Sequence, residues 1–153
     1  MRRRTILGAV AAVVAVGTSA AVAANTTQPR PVGAMTVYKS PSCGCCAKWV
    51  EYLERDGFTV NVVDKPDVTP IKQALGVTPR LASCHTAVID GYVIEGHVPA
   101  ADIRRLLAER PPVIGLTAPG MPQFSPGMRS ETPRGYDVLS FDQHGGVQLF
   151  ARY

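Results

Sequence analysis

The chain opens on an apolar block and then settles into short alternating and helical patterns. Ile6 to Val16 is an eleven-residue apolar run, preceded by Arg2, Arg3 and Arg4 and followed by small residues that include Ala21-Val22-Ala23. A positive n-region, an apolar h-region and an A-x-A site together predict an export signal over residues 1–24, removed in the mature protein. Gly8, Gly17, Thr18 and Ser19 make the same stretch a poor spanning helix, so no stable membrane insertion is expected after cleavage. No cysteine lies near the cleavage point, which argues against a lipid anchor. Arg3-Arg4 followed by Thr5, Ile6 and Leu7 also matches a twin-arginine signal. The secretory and twin-arginine routes both stay open.

Residues 25–33 are a polar linker with Pro29 and Pro31. From residue 34 the periodicity alternates between strand and helix. Thr36-Val37-Tyr38 is β-prone, and Ser40-Pro41-Ser42 breaks it and supplies helix N-cap chemistry. Cys46, Trp49, Val50 and Leu53 share one face of a helix predicted from Cys45 to Arg55, with Gly57 closing it. Phe58 to Val63 is a β-branched strand. Thr69 as N-cap and Pro70 at the first helical position open a short helix that ends at Gly76. Thr86 to Ile89 and Tyr92 to Ile94 flank Asp90-Gly91, a strong hairpin signal. Ile103, Leu106 and Leu107 form the stripe of a third helix that starts at Pro99 and stops at Pro111-Pro112. The order β-α-β-α-β-β-α over 34–114, with a parallel first pair and a right-handed crossover, predicts an α/β thioredoxin-like domain. Residues 115–153 fall outside that minimal fold. They are expected to add a methionine-containing loop and a closing hairpin, Tyr136 to Ser140 with Val147 to Phe150, and to be dispensable for folding of the core.

Composition narrows the partners. With 153 residues, 46% apolar and 18% charged, the chain is long enough for one domain with a core. Sixteen Lys and Arg oppose twelve Asp and Glu. Without Arg2, Arg3 and Arg4 the balance is thirteen to twelve, or +1, which leaves no electrostatic footprint for nucleic acid. Four cysteines are too few for a disulfide-dense scaffold.

The candidate chemistry is in those cysteines. Cys43-Gly44-Cys45-Cys46 places three thiols at the start of the first helix, where unpaired N–H groups and the dipole stabilise thiolates, with Lys39 and Lys48 nearby. Crowded thiolates repel one another. A soft cation relieves that repulsion, and so does a Cys43–Cys46 disulfide of the redox-enzyme kind, which leaves Cys45 over. The extra thiol favours metal. Cys84, immediately before the third strand, occupies a loop that faces the first helix in a thioredoxin-like fold. Oxidoreductases of that fold carry a cis-proline there, whereas here the nearest preceding proline is Pro79. His85 beside it has two readings, a structural hydrogen bond and ligation. Met121 and Met128 each follow a Pro-Gly turn, where they are displayed as soft thioether donors or pack over the domain edge. His97 ends the fourth strand, where a structural role is expected. His144 sits in a turn and is expected to be exposed.

Ser42-Cys43-Gly44-Cys45-Cys46, Trp49, Ser83-Cys84-His85-Thr86-Ala87, Gly91-Tyr92, Glu95-Gly96-His97-Val98-Pro99-Ala100 and Gly120-Met121-Pro122 through Ser125-Pro126-Gly127-Met128 together resemble the exported CopG copper-resistance family, long catalogued as a domain of unknown function. The resemblance spans about Met35 to Met128. The sequence departs from it at Phe124, larger than the small residue expected between Gln123 and Ser125. It implies a thioredoxin-like domain that binds copper through the C-x-C-C motif and the later cysteine. It also implies periplasmic copper resistance alongside other copper-handling or redox proteins, and redox chemistry on copper itself. Thiolates suit Cu(I) and can bridge two ions. Side chains that diverge by about 100° along a helical turn cannot easily surround one ion, so more than one copper is expected. The metal-ligand set expected is therefore Cys43, Cys45, Cys46, Cys84, His85, Met121 and Met128. The alternatives are a periplasmic thiol–disulfide oxidoreductase using Cys43 and Cys46, and a zinc or iron–sulfur protein, which the two methionines disfavour.

Overall fold

The structure is a computed structural model that describes residues 33–153. The predicted export signal over 1–24 and nearly all of the linker over 25–33 lie outside the described residues. Three helices and seven strands follow one another as β1 (Met35–Lys39), α1 (Gly44–Arg55), β2 (Val60–Asp64), α2 (Thr69–Ala74), β3 (His85–Ile89), β4 (Tyr92–Glu95), α3 (Ala100–Glu109), β5 (Gly115–Thr117), β6 (Asp137–Phe141) and β7 (Val147–Arg152). The strands form a single mixed sheet in the order β2-β1-β3-β4-β5-β6-β7. Among the described residues, no helix is long and apolar enough to cross a membrane.

The helical and strand periodicities place most elements where expected. In α1 the buried stripe is Cys46, Trp49, Val50 and Leu53, and the chain leaves the helix through Asp56 and Gly57. The β3–β4 hairpin turns on Asp90-Gly91, both at positive φ (49° and 85°). α3 buries Ile103 and Leu106 and leaves Leu107 half-buried. It ends at Arg110 in the left-handed conformation, directly before the two prolines.

Two expected caps differ. The N-cap of α1 is Cys43 without a side-chain bond, because the Ser40 and Ser42 hydroxyls bond each other instead, 3.0 Å apart. The N-cap of α2 is Val68. Thr69 is the first helical residue, and its N–H is taken by the Asp67 carboxylate at 2.8 Å.

Alternation along the strands divides the core between the two faces of the sheet. Val37, Ala87, Ile89 and Ile94 pack with Trp49 and Leu53 of α1 and with Ile103 and Leu106 of α3. Val93 and Phe141 pack with Val77 and Leu81, beyond α2. The segment from residue 115 onward continues this sheet. β5 runs parallel to β4 and antiparallel to β6, all three of its residues are buried, and Leu116, Ala118 and Val138 belong to the main core.

Register decides where the chemistry gathers. Lys39 is opposite His85, so the end of β1 meets the beginning of β3. Thr86 is opposite Glu95, and Glu95 is opposite Thr117. The turn after β1, the residue before β3, the residues after β4 and the loop after β5 therefore all emerge at one end of the sheet.

Candidate metal centre

Cys43 and Cys46 bracket the first turn of α1 and are joined as a disulfide. Cys46 is fully buried beneath the helix, whereas Cys43 and Cys45 are half-buried. Cys45 Sγ stands 3.5 Å from Cys43 Sγ and 4.0 Å from Cys84 Sγ. All four sulfurs lie within 4.8 Å of one another. Cys84 reaches the cluster from the turn before β3, as its position in the sequence suggested. Burial, and then the neighbouring Cys45, push its thiol above the ordinary range and favour its protonated form in the absence of a cation.

Two imidazoles complete the far side. His85 is fully buried, its ring centroid 4.3 Å from that of Trp49, with Nδ1 3.4 Å from Cys84 Sγ. Its Nε2 has no hydrogen-bond partner. An orphaned buried nitrogen is rare and calls for a physical account. His97 Nδ1 donates to the Pro126 carbonyl at 2.6 Å, and its Nε2 lies 3.2 Å from Cys84 Sγ. That bond fixes the proton on Nδ1 and leaves the Nε2 lone pair for the sulfur or for a cation. Burial holds both histidines below the ordinary imidazole range, and His97 adds to the effect on His85. Cys84, His85 and His97 thus form a second ligand-competent trio that shares Cys84 with the first group. His97 is absent from the ligand set expected from sequence. A lone histidine at a strand end has no ligand spacing of its own, and only the family resemblance carried by Glu95-Gly96-His97 singled it out.

The loop after β5 closes over this end. Gly120 N–H donates to the Ala82 carbonyl at 3.0 Å, and its own carbonyl accepts the Ser83 hydroxyl, beside Cys84. At the other end of the loop, Gly127 lies on α1. A Cβ there would stand 2.7 Å from Trp49 N and 2.9 Å from the Cys45 carbonyl, and φ is +83°. Only glycine fits that approach. Met121 and Met128 directly follow these two anchors. Met121 is 55% exposed, and Met128 is half-buried and lines a surface cavity with Lys48, Glu51 and Arg55. His144 is exposed in its turn, as expected.

The donor set fits a soft or borderline metal: sulfurs in excess, neutral imidazole nitrogens, and no carboxylate among the grouped ligands. Fold and site together define a mixed α/β protein with a cysteine cluster able to hold a metal ion. Two solved structures, forms 1 and 2 of a "Copper resistance protein copG", are each 42% identical to the chain. They cover 78% and 81% of it, and it covers 96% and 99% of them, with TM-scores of 0.73 and 0.74. A family described as a protein of unknown function, DUF411, matches residues 81–128, a stretch that includes Cys84, His85, His97, Met121 and Met128. No curated protein sequence matches. The chain belongs to the CopG copper-resistance family, and that membership together with the cysteine cluster supports a copper-related role.

Proposed function

We propose that this chain is an exported, periplasmic copper-binding protein of copper resistance. It holds Cu(I), more than one ion per chain, on Cys43, Cys45, Cys46 and Cys84. His85 and His97 serve as nitrogen donors, and Met121 and Met128 as further soft donors. The observation that carries the reading is the convergence of four sulfurs within 4.8 Å. Ligation requires each cysteine to lose its proton, so binding weakens as pH falls. It also requires the Cys43–Cys46 bond to open.

That requirement links binding to redox chemistry. Closing the Cys43–Cys46 disulfide releases two electrons and two protons, and two Cu(II) ions taking one electron each become Cu(I). Cys45 and Cys84 lie outside the disulfide and, once deprotonated, would retain Cu(I) until the pair is reduced and the four-sulfur site re-forms. A periplasmic dithiol reductant resets the pair by donating two electrons.

Metal analysis and absorbance of protein purified without oxygen test the proposal. Copper in excess of zinc and iron is the expected result, with an Ellman thiol count that rises when the metal is stripped. Zinc or an iron–sulfur spectrum on four protected thiols would contradict it.

The disulfide also favours a second reading, a thiol–disulfide oxidoreductase. A Cys45→Ser/Cys84→Ser chain separates the two. It keeps the C-x-x-C pair, so undiminished disulfide exchange would support the second reading, and loss of copper binding supports the first.

A further inference from the structure

Behind the metal centre, on the opposite face of the sheet, lies a charged pair that the ligand set does not use. Glu95 is fully buried and Lys72 is 7% exposed. Lys72 Nζ donates to Glu95 Oε1 at 2.5 Å and to Thr86 Oγ1 at 2.9 Å. Thr86 Oγ1 in turn donates to Glu95 Oε2 at 2.7 Å, and the Ser83 backbone N–H donates to Glu95 Oε1 at 2.6 Å. Three donors thus converge on one carboxylate. Two of them belong to Ser83 and Thr86, the residues on either side of Cys84-His85.

We infer that Glu95, held by Lys72, is a positioning residue that fixes the Ser83–Thr86 segment so that Cys84 faces Cys45 and His97. The inference rests on the copper reading for its purpose, though not for its geometry. Desolvating two charges is costly, and an apolar pair of similar volume is often as stable. A buried ion pair is thus weak evidence for stability, and its placement is the informative part. Charge-assisted bonds are short and directional, which suits a carboxylate that must hold two points of one backbone. The strand beyond Glu95 contributes to the same arrangement. Gly96 N–H donates to the His85 carbonyl at 3.1 Å. A Cβ on Gly96 would stand 2.5 Å from Ser83 Cβ, so β4 and the Cys84 turn approach as closely as backbone allows. His97 follows directly. One carboxylate therefore ties together the strand that carries one imidazole and the turn that carries the thiol and the other.

The test uses a Lys72→Met/Glu95→Gln double variant, which removes both charges and keeps the side-chain shapes. Dibromobimane fluoresces only when both of its arms are alkylated. With the Cys43–Cys46 disulfide intact, it reports whether Cys45 and Cys84 face one another, and no metal is needed. Wild-type protein is expected to bridge. The double variant, still unfolding cooperatively, is expected to show a several-fold lower ratio of bridged to singly alkylated product. Its Cu(I) affinity is expected to fall by about tenfold or more, the usual consequence of losing a residue that orients a ligand. A purely structural ion pair would lower the thermal midpoint and leave the bridging ratio unchanged, which would overturn the inference. If the double variant does not fold, Thr86→Val removes one donor from Glu95 and is expected to shift the ratio in the same direction, and an unchanged ratio there also overturns it. Absence of copper binding by the wild type would defeat the functional reading alone, because the bridging ratio still decides the role of Glu95.

Discussion

At the residue scale, Cys84 is the hinge of the account. It stands between Cys45 and the two imidazoles, so either ligand group loses a member without it. The imidazoles also make the metal-free protein sensitive to pH. Both His85 and His97 have folded values below the ordinary 6.5, with burial as the main cause. The unfolded chain therefore binds more protons in mildly acidic solution, and stability falls as pH drops through and below about 6.5. We expect the thermal midpoint of metal-free protein to decline between about pH 7.5 and 5, before surface carboxylates titrate near 4. A His85→Asn/His97→Asn chain should show a flatter profile over that window. An equally steep decline in the double variant would assign the effect to other groups. His97 stayed outside the expected ligand set because a single histidine at a strand end carries no pattern. Its role appears only when the Pro126 carbonyl, in a loop distant along the chain, fixes its tautomer.

At the element scale, the loop between β5 and β6 is anchored at Gly120 beside Cys84 and at Gly127 on α1, with a methionine after each anchor. Met121 exposes more than half its surface, so packing alone is a poor reason for a methionine there. Replacing Met121 and Met128 together by Leu conserves volume and should cost under about 1.5 kcal/mol. Chelator competition should then show weaker Cu(I) binding or lower stoichiometry, with the metal-free thermal midpoint held. Unchanged copper binding would return both residues to packing. The helices and hairpins were legible because their signals are local: the Cys46-Trp49-Val50-Leu53 stripe, Asp90-Gly91 and the prolines. β5 was not, because three residues are too few to show alternation and its parallel pairing with β4 is non-local. The N-cap of α1 was misassigned because two serines two residues apart can bond each other as readily as a helix end. Lys72 and Glu95 carry no signal at all in one dimension. Charged residues are ordinarily solvated, and only the sheet brings these two together.

At the scale of the whole molecule, the site depends on four strand ends meeting at one end of the sheet. The residues after β5 therefore matter to folding as well as to binding. Leu116, Ala118 and Val138 are fully buried in the main core, and β6 pairs with β5 across the sheet. A chain ending before Gly115 would expose that core and leave β4 as an unpaired edge. We expect it to lose its cooperative thermal transition, in contrast to the dispensable extension that the sequence suggested. A sharp transition retained by the truncated chain would restore the smaller domain.

The central claim is that one shared site spans the C-x-C-C turn and the distant Cys84. Its most direct test is Cu(I) stoichiometry by anaerobic chelator competition, for the wild type and for each Cys→Ser variant. The account predicts more than one Cu(I) per wild-type chain, and a drop in every variant, Cys84→Ser included. One tight copper per chain, insensitive to Cys84→Ser, would contradict it and leave a simpler site on Cys43, Cys45 and Cys46.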